Sequence, residues 1–198
     1  MSDAHDLAAL VRDELLTTAR LIEATAEGDV PAQVAQAAAW CIESLRAAGT
    51  IYYLGNGGSA AEALHMAAEL GGHLELDREP LSSVALGANP SMVTAIGNDY
   101  AFAEIFAREL AVVRPGDVVF ALTTSGRSPN VLRAIEVARE RGARVIAITG
   151  RTEAPLPGAD LHIRIPSPRT RNVQEASLAI GHLICLIVER AFEPGATG

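Results

Sequence analysis

Short apolar runs alternate with helix-forming stretches from residue 50 onward, and this alternation constrains the fold more than any other feature of the chain. The runs VVFAL, within 117–122, and VIAIT, within 144–149, are apolar on both faces. A strand of this kind needs cover on both sides, which a parallel sheet between two layers of helices provides. We therefore predict a doubly wound α/β sandwich.

Hydrophobic periodicity and turn residues place the individual elements of this sandwich. Strands are predicted at 50–54, 82–86, 117–122, 144–149 and 160–165, and helices at 59–70, 101–110, 128–141 and 173–192. Two further helices, at 7–27 and 31–48, precede the first strand, and Pro31 suits the first turn of the second. The 198 residues are predicted to form one domain, with a helical extension at 1–49, the sandwich at 50–192 and a tail at 193–198.

Charge and cysteine content limit the partners and the compartment. A formal charge of −8 without a basic run predicts binding to neither nucleic acid nor a membrane surface. No stretch reaches eighteen apolar residues, and acids stand where a secretory signal carries Lys or Arg, so we expect a cytoplasmic protein. Cys41 and Cys185 lie in apolar helical patterns and are predicted to be buried free thiols.

The sequence GNGGS at 55–59, called here the glycine loop, stands where the first predicted strand turns into a helix. Free backbone N–H groups and the positive end of a helix dipole meet at such a place and receive an anion, most often a phosphate. His65 and Glu69 follow on one face of that helix. They form either an ordinary surface pair or a titratable pair able to move protons or bind a metal.

A second loop, TTSGRSPN at 123–130, follows the strand at 117–122 and is called here the hydroxyl loop. Ser128 is the predicted N-cap of the next helix. Ligands bind at the carboxyl ends of parallel strands, where this loop offers several hydroxyl donors and free amides. By itself the loop could satisfy only its own backbone, but two such loops at one sheet edge favour binding of a phosphorylated ligand.

The predicted helix at 173–192 is apolar nearly all round and must be buried nearly all round. One small domain cannot easily cover it, so a neighbouring subunit is predicted to do so. Gln174 and His182 interrupt this surface, roughly 12 Å apart along the axis, and could hardly both reach one metal ion from a straight helix. Either the helix starts near Gln174, or the two residues serve neighbouring sites; His182 could also be an ordinary core histidine.

Asn98 and Asp99 follow an apolar run at 92–96. Two roles are open for this pair. It could orient a hydroxyl of a ligand, or it could cap a helix that begins near Ala101.

With these residues assembled, the chain resembles the sugar isomerase (SIS) superfamily and, within it, the sedoheptulose 7-phosphate isomerases. The resemblance spans about residues 5–192 and implies a homotetramer of flavodoxin-like subunits with active sites between subunits. It implies conversion of sedoheptulose 7-phosphate to D-glycero-D-manno-heptose 7-phosphate through a cis-enediol. The segments that carry it are LGNGGSAAEALHMAAEL, IGNDYAFAEIF, LTTSGRSPNVLRAIEVARERGARVIAITG and VQEASLAIGHLICLIVE.

The resemblance also implies roles for individual residues. The general base falls on Glu69 and the acid on His182, and the ligands of a divalent metal, zinc in some members, match His65, Glu69, Gln174 and His182. Arg171 and His73 stand where the family often has Asp and Arg, which bears on the identity of the sugar. Substrate contacts are implied for Asn56, Gly57, Gly58, Ser59, Asn98, Asp99, Thr123, Thr124, Ser125, Ser128 and Gln174.

Two other classes of SIS protein share this fold. One comprises tetrameric adaptors that bind a replication initiator, and the other comprises sugar-phosphate sensors of transcription regulators. The adaptors lack the acid and the histidine that stand here as Glu69 and His182, and we expect no attached DNA-binding module. The sequence therefore favours an enzyme.

Overall fold

A computed structural model describes residues 4–193, with side chains from residue 6 onward. All but the first residue of the predicted tail at 193–198 lies outside the described residues. The helices are α1 (Ala4–Glu27), α2 (Val30–Arg46), α3 (Gly58–Gly71), α4 (Pro90–Asp99), α5 (Ile105–Glu109), α6 (Pro129–Glu140) and α7 (Thr170–Ala191). The strands are β1 (Ile51–Gly55), β2 (Ser83–Ala85), β3 (Val118–Leu122), β4 (Arg144–Thr149) and β5 (Leu161–Arg164).

The five strands form one sheet in the order β2-β1-β3-β4-β5, and every neighbouring pair is parallel. The chain first adds β2 on one side of β1 and then returns to add β3 on the other side. Ligands of open α/β sheets bind at such a switch point, outside the carboxyl ends of the strands. Gly55 pairs in register with Leu122, so the glycine loop and the hydroxyl loop begin side by side at this point.

Each face of the sheet has its own apolar core. Strands β1 and β3 are buried at every position because they lie in the middle of the sheet. This arrangement confirms the predicted doubly wound α/β sandwich. On one face α2, α3 and α7 pack through Val34, Ala37, Cys41, Met66, Leu70, Ile180 and Ile184. On the other face α4, α5 and α6 pack through Ile96, Ile105, Phe106, Val131, Ala134 and Ile135.

Helix α4 was missed by the sequence analysis, which identified only the apolar run inside it. Asn89 caps this helix, because its side-chain oxygen accepts hydrogen bonds from the N–H groups of Ser91 and Met92. An Asn followed by Pro at the first helical position is a start signal that the sequence contains. Asn98 and Asp99 are the last residues of α4, so the suggestion that they cap the next helix is wrong.

The helix predicted at 101–110 is broken into shorter pieces. A 3₁₀ turn at Phe102–Glu104 leads into α5, and a second 3₁₀ turn at Leu110–Val112 follows. Ala101, in an extended conformation, is the N-cap residue of the first turn and makes no side-chain cap. The segment therefore changes direction where a single helix was expected.

Helices α3 and α7 lie side by side and run in the same direction. Because α7 begins at Thr170, Gln174 is inside the helix, and the suggestion that the helix starts near Gln174 is wrong. Contacts between the two helices advance together along both. They join Gly58 to Gln174, Glu62 to Ser177, His65 to His182 and Met66 to Gly181, and beyond the end of α3 they join Leu74 to Glu189.

Two further predictions concern the core and the membrane. Cys41 and Cys185 are buried free thiols, as predicted. Burial is the main cause that raises the pKa of both, that of Cys185 to about 12. Across residues 4–193, none of the helices combines the length and the apolar character needed to cross a bilayer.

Candidate active site

The glycine loop and the hydroxyl loop are tied together by two amide side chains. Asn56 Nδ2 donates to Asn130 Oδ1 at 2.9 Å, and Asn130 Nδ2 donates to Asn56 Oδ1 at 2.8 Å. Asn130 is buried, and its oxygen also accepts from the N–H of Val131 at 3.0 Å. The loops after β1 and β3 therefore form one rigid edge, and Asn130 has a role that the sequence analysis missed.

The glycine loop turns sharply into α3. Gly57 has a φ of +56°, a conformation that favours glycine. The N–H groups of Ser59 and Ala60 already donate to the carbonyls of Asn56 and Gly57. The amides of Gly57 and Gly58 precede these bonds and belong to the orphan donors with which every helix begins. An anion can be received here, whereas the side chain of Ser59 is buried.

Hydroxyl groups of the second loop lie close to one another. Thr123 Oγ1 is 3.4 Å from Ser128 Oγ, and Ser125 Oγ accepts from the N–H of Arg127 at 3.2 Å. Ser128 is the N-cap residue of α6, as predicted, but its hydroxyl caps no amide of the helix. That hydroxyl remains available to a ligand. Thr124 and Ser125 also line a cleft of about 610 Å³, whose far wall is the segment 151–157.

His65, Glu69 and His182 form a cluster of titratable side chains between α3 and α7. His65 Nε2 lies 2.8 Å from His182 Nε2 and 3.0 Å from Glu69 Oε1. One ligand atom of each of the three residues lies within 4.8 Å of the others. The side chains of His65 and Glu69 are 44% and 17% exposed, so the cluster is open to solvent on one side. Residues 117 positions apart in sequence are thus brought together by the parallel helix pair.

The donor set of this cluster fits a divalent cation. Two imidazole nitrogens and a carboxylate oxygen are ligands that zinc uses in catalytic sites, which keep one position open. The Nε2 atoms of His65 and His182 either share one proton or direct two lone pairs at a common cation. The 2.8 Å separation is that of a hydrogen bond with one shared proton. A cation held by both nitrogens at about 2.0–2.1 Å would set them roughly 3.3 Å apart, so the rings would have to move apart only slightly to receive it.

The side chain of Gln174, the fourth predicted metal ligand, extends from α7 to the start of α3. A Cβ on Gly58 would come within 2.8 Å of Cδ and Oε1 of Gln174, so the end of this side chain lies directly against the first turn of α3. Gly58 precedes His65 by about 10 Å along the axis of α3. The structure thus brings three of the four predicted ligands together and places Gln174 beside the glycine loop.

The remaining predicted site residues lie apart from this cluster. Asn98 and Asp99 are exposed, and Asn98 Nδ2 donates to Asp99 Oδ1 at 2.8 Å. They belong to α4, which covers the sheet face opposite α3 and α7. Arg171 pairs with Glu14 of α1, which also accepts from Arg169. The hydrogen bond from Arg169 is the main cause that lowers the pKa of Glu14.

Glu62 is a buried acid that the sequence analysis did not identify. It lies one turn before His65 and accepts a hydrogen bond from the hydroxyl of Ser177 on α7. Burial raises the pKa of Glu62 to about 7, and the Ser177 hydrogen bond offsets only part of that effect. Its only sequence signal is an acid on the helix face that also carries Ser59, Ala63, Met66 and Leu70, all of them buried.

Comparison with known proteins identifies the fold and the family. Residues 17–150 match the family model described as SIS domain, so the chain has the class of fold that its sheet order and loops define. A phosphoheptose isomerase of Rhodospirillum rubrum is 49% identical over 166 residues, which cover 83% of this chain and 88% of that protein. A phosphoheptose isomerase of Akkermansia muciniphila is 41% identical over 187 residues, which cover 93% of this chain and 98% of that protein.

A solved structure leads to the same family. The phosphoheptose isomerase from Neisseria gonorrhoeae superimposes with a TM-score of 0.85 at 36% identity, covering 93% of this chain and 99% of that chain. The chain therefore belongs to the phosphoheptose isomerase family of SIS domain proteins. This confirms the family that the sequence motifs predicted.

Proposed function

We propose that the protein is an aldose–ketose isomerase that converts sedoheptulose 7-phosphate to D-glycero-D-manno-heptose 7-phosphate. The observation that carries this proposal is the cluster of His65, Glu69 and His182, within 4.8 Å of one another on helices α3 and α7. Helix α3 begins at the glycine loop, so the titratable groups and an anion-binding helix start belong to one element.

The phosphate of the sugar would be held at the switch point of the sheet. The amides that open α3 and the hydroxyls of Thr124, Ser125 and Ser128 supply donors there. The chain carries a net charge of −8, so these local donors must bind the phosphate without help from a broad positive field. The hydrogen bonds between Asn56 and Asn130 keep the two loops in register.

Glu69 is the proposed general base. Its partly exposed carboxylate would remove a proton from C1 of the ketose and return it to C2, so that the carbonyl moves from C2 to C1 through a cis-enediol. His182 would deliver a proton to O2 and accept one from O1, which balances the transfer. His65 lies in contact with both residues and orients them.

A divalent cation, zinc in this proposal, would be held by His65, Glu69 and His182. When bound, such a cation polarises a substrate carbonyl. Gln174 as a further ligand stays a prediction, because its side chain lies beside Gly58.

We further propose a homotetramer with active sites between subunits. Apolar side chains exposed on α7 and α1 support it, since Leu183 is 51% exposed, Ile187 39% and Leu15 67%. Such a surface is typical of an interface. Asp99 lies on the opposite face of its own subunit from His65, so a role at the substrate would require a neighbouring subunit to bring it there. The cytoplasmic location stays a prediction.

The test is incubation of the purified protein with sedoheptulose 7-phosphate, with chelator and with added zinc, while NMR follows aldoheptose formation. Glu69→Gln should bind the sugar phosphate almost normally, because the donors to the phosphate are untouched, and should lose turnover, because the base, which is also a proposed metal ligand, is removed. Glu140→Gln, an exposed acid at the end of α6, is the matched control and should behave as the unaltered protein. Absence of product under every metal condition would favour a non-catalytic adaptor.

A further inference from the structure

Arg78 caps the end of the helix that carries His65 and Glu69. Its side chain is almost completely buried, and its guanidinium donates to the carbonyls of Glu69 at 2.9 Å, Leu70 at 3.0 Å and Gly72 at 3.1 Å. The last carbonyls of a helix have no partner inside the helix. One buried arginine thus bonds several carbonyls at the C-terminal end of α3, including that of Glu69 itself.

Glu189 of α7 joins this cap from the other helix. Its fully buried carboxylate accepts from the N–H groups of Leu74 at 2.8 Å, Glu75 at 2.8 Å and Leu76 at 3.1 Å, and it lies 3.4 Å from Nε of Arg78. Burial opposes ionisation of Glu189, but the three N–H donors together with the charge of Arg78 outweigh it and lower the pKa of the carboxyl. Glu189 therefore holds the segment after α3 as a charged acceptor.

The ion pair lies at the end of the helix pair that is remote from the phosphate loops. At the opposite end, Gly58 contacts Gln174, and between these ends His65 meets His182. Glu189 follows His182 by two turns of α7, about 10 Å along the axis. The lateral position of α3 against α7 at the cluster is thus fixed from both sides, and the 2.8 Å approach of the two imidazoles depends on it.

We propose that Arg78 and Glu189 are positioning residues, which hold Glu69 and His65 at working distance from His182 without touching the substrate. Supporting residues of this kind typically change metal affinity or activity by about 10–100-fold when they are altered. The inference rests on the proposed function for its effect on turnover, but the geometric part can be tested in a protein that turns over no sugar.

The test compares Arg78→Lys with Arg144→Lys. The first keeps the charge and loses the forked cap; the second makes the same change in the ion pair between Arg144 and Glu43, which is outside α3 and α7. In the metal-free protein, the imidazole ¹⁵N shifts of His65 and His182 should change in Arg78→Lys and stay unaltered in Arg144→Lys. With substrate, kcat should fall about tenfold or more in Arg78→Lys while KM stays within about twofold, because the phosphate loops are untouched.

The outcomes separate the two proposals. A folded Arg78→Lys protein with unaltered imidazole shifts overturns the positioning role, and so does an equal change in Arg144→Lys, which would indicate general loosening. Failure of the unaltered protein to isomerise the sugar overturns the proposed function and leaves the imidazole comparison as the test of positioning. Glu189→Asp withdraws the carboxylate by one methylene and keeps its charge, and it gives the same comparison if Arg78→Lys does not fold.

Discussion

Asn56 and Asn130 exchange two hydrogen bonds, of 2.9 and 2.8 Å, and so join the loops that follow the two central strands of the sheet. The exchange uses one of the two N–H donors and one of the two oxygen lone pairs of the Asn56 amide. The contribution of Asn56 to ligand binding therefore depends on Asn130, since the pair holds the glycine loop against the hydroxyl loop.

A double-mutant cycle tests this dependence. We expect Asn56→Ala and Asn130→Ala each to raise KM for the sugar phosphate about tenfold, which corresponds to about 1.4 kcal/mol and is near the value of one or two hydrogen bonds. The KM of the double variant should be no higher than that of the single variant with the higher KM, because both changes break the same contact. Steady-state kinetics on the four proteins measure the coupling. Additive losses would show instead that Asn56 contacts the substrate independently.

Gly181 permits the close approach of α7 to α3 at the level of the histidines. A Cβ at this position would lie 2.5 Å from Sδ and 2.9 Å from Cε of the fully buried Met66. We expect Gly181→Ala to lower the free energy of unfolding by roughly 1–3 kcal/mol, the usual cost of overpacking, and to weaken cobalt binding by the cluster. Chemical denaturation and cobalt titration measure the two effects.

Gly97→Ala is the matched control for this change. Gly97 is also helical, and a Cβ there would meet nothing within 4 Å. Both substitutions gain helix propensity, about 1 kcal/mol, so only the contact with Met66 differs. We expect the free energy of unfolding of Gly97→Ala to equal that of the unaltered protein or to exceed it slightly. A Gly181→Ala protein as stable as this control would mean that Met66 or the helix pair accommodates the added methyl group without cost.

The sequence predicted the layered fold because its signals are local. Apolar runs mark β1 and β3, and the i, i+4 spacing of His65 and Glu69 follows from the helix repeat alone. Asn89 and Pro90 mark the start of helix α4, but its apolar run at 92–96 is shorter than two helical turns and shows no helical repeat by itself. Family motifs, rather than spacing, connected His182 to the site.

The supporting contacts of the site could not be predicted from the sequence in the same way. Glu62 meets Ser177, 115 positions away, only because α3 and α7 run parallel. The pairing of Arg78 with Glu189 joins a loop to the far end of another helix. Hydrophobic periodicity does not identify such partners. From composition alone, any of the chain's 24 acids could be the partner of Ser177 or of Arg78.

Glu62 should make stability depend on pH in the direction of its raised pKa. The unfolded chain ionises near 4.5, whereas the buried carboxyl stays protonated up to about 7. The contribution of protonated Glu62 to the free energy of unfolding is complete below pH 4.5 and is lost as the pH rises to about 7. The difference between the two pKa values corresponds to about 3 kcal/mol. Denaturation from pH 4 to 8 should therefore show a loss of stability that Glu62→Gln abolishes.

At pH 8, Glu62→Gln should be more stable than the unaltered protein, because the amide resembles the protonated acid. Glu140→Gln, an exposed acid at the end of α6, serves as the control and should keep the original pH profile. If the profile of Glu62→Gln still falls between pH 5 and 7, the loss of stability must come from another group.

His162 supports the segment 151–157, the far wall of the cleft beside the hydroxyl loop. Its Nδ1 accepts from the N–H of Leu156 at 3.0 Å, and its Nε2 lies 2.9 Å from Thr149 Oγ1. The hydroxyl of Thr149 already donates to the carbonyl of Gly150 at 2.8 Å, so Nε2 carries the imidazole proton and Nδ1 the lone pair. Protonation of Nδ1 would replace its lone pair with an N–H group, which faces the N–H of Leu156 and breaks this hydrogen bond.

Burial, with a smaller effect of Arg164, lowers the pKa of His162. The stabilising contribution of the neutral ring is therefore present above the unfolded value of 6.5 and is lost as the pH falls through the lower folded value. We expect amide exchange in 151–157, corrected for its intrinsic pH dependence, to become faster under acid. His162→Gln keeps an acceptor for Leu156 and cannot titrate, so its exchange should stay flat, while His73→Gln, at an exposed histidine, should retain the acid response. A pH-independent exchange in the unaltered protein would exclude His162 as the support of this wall.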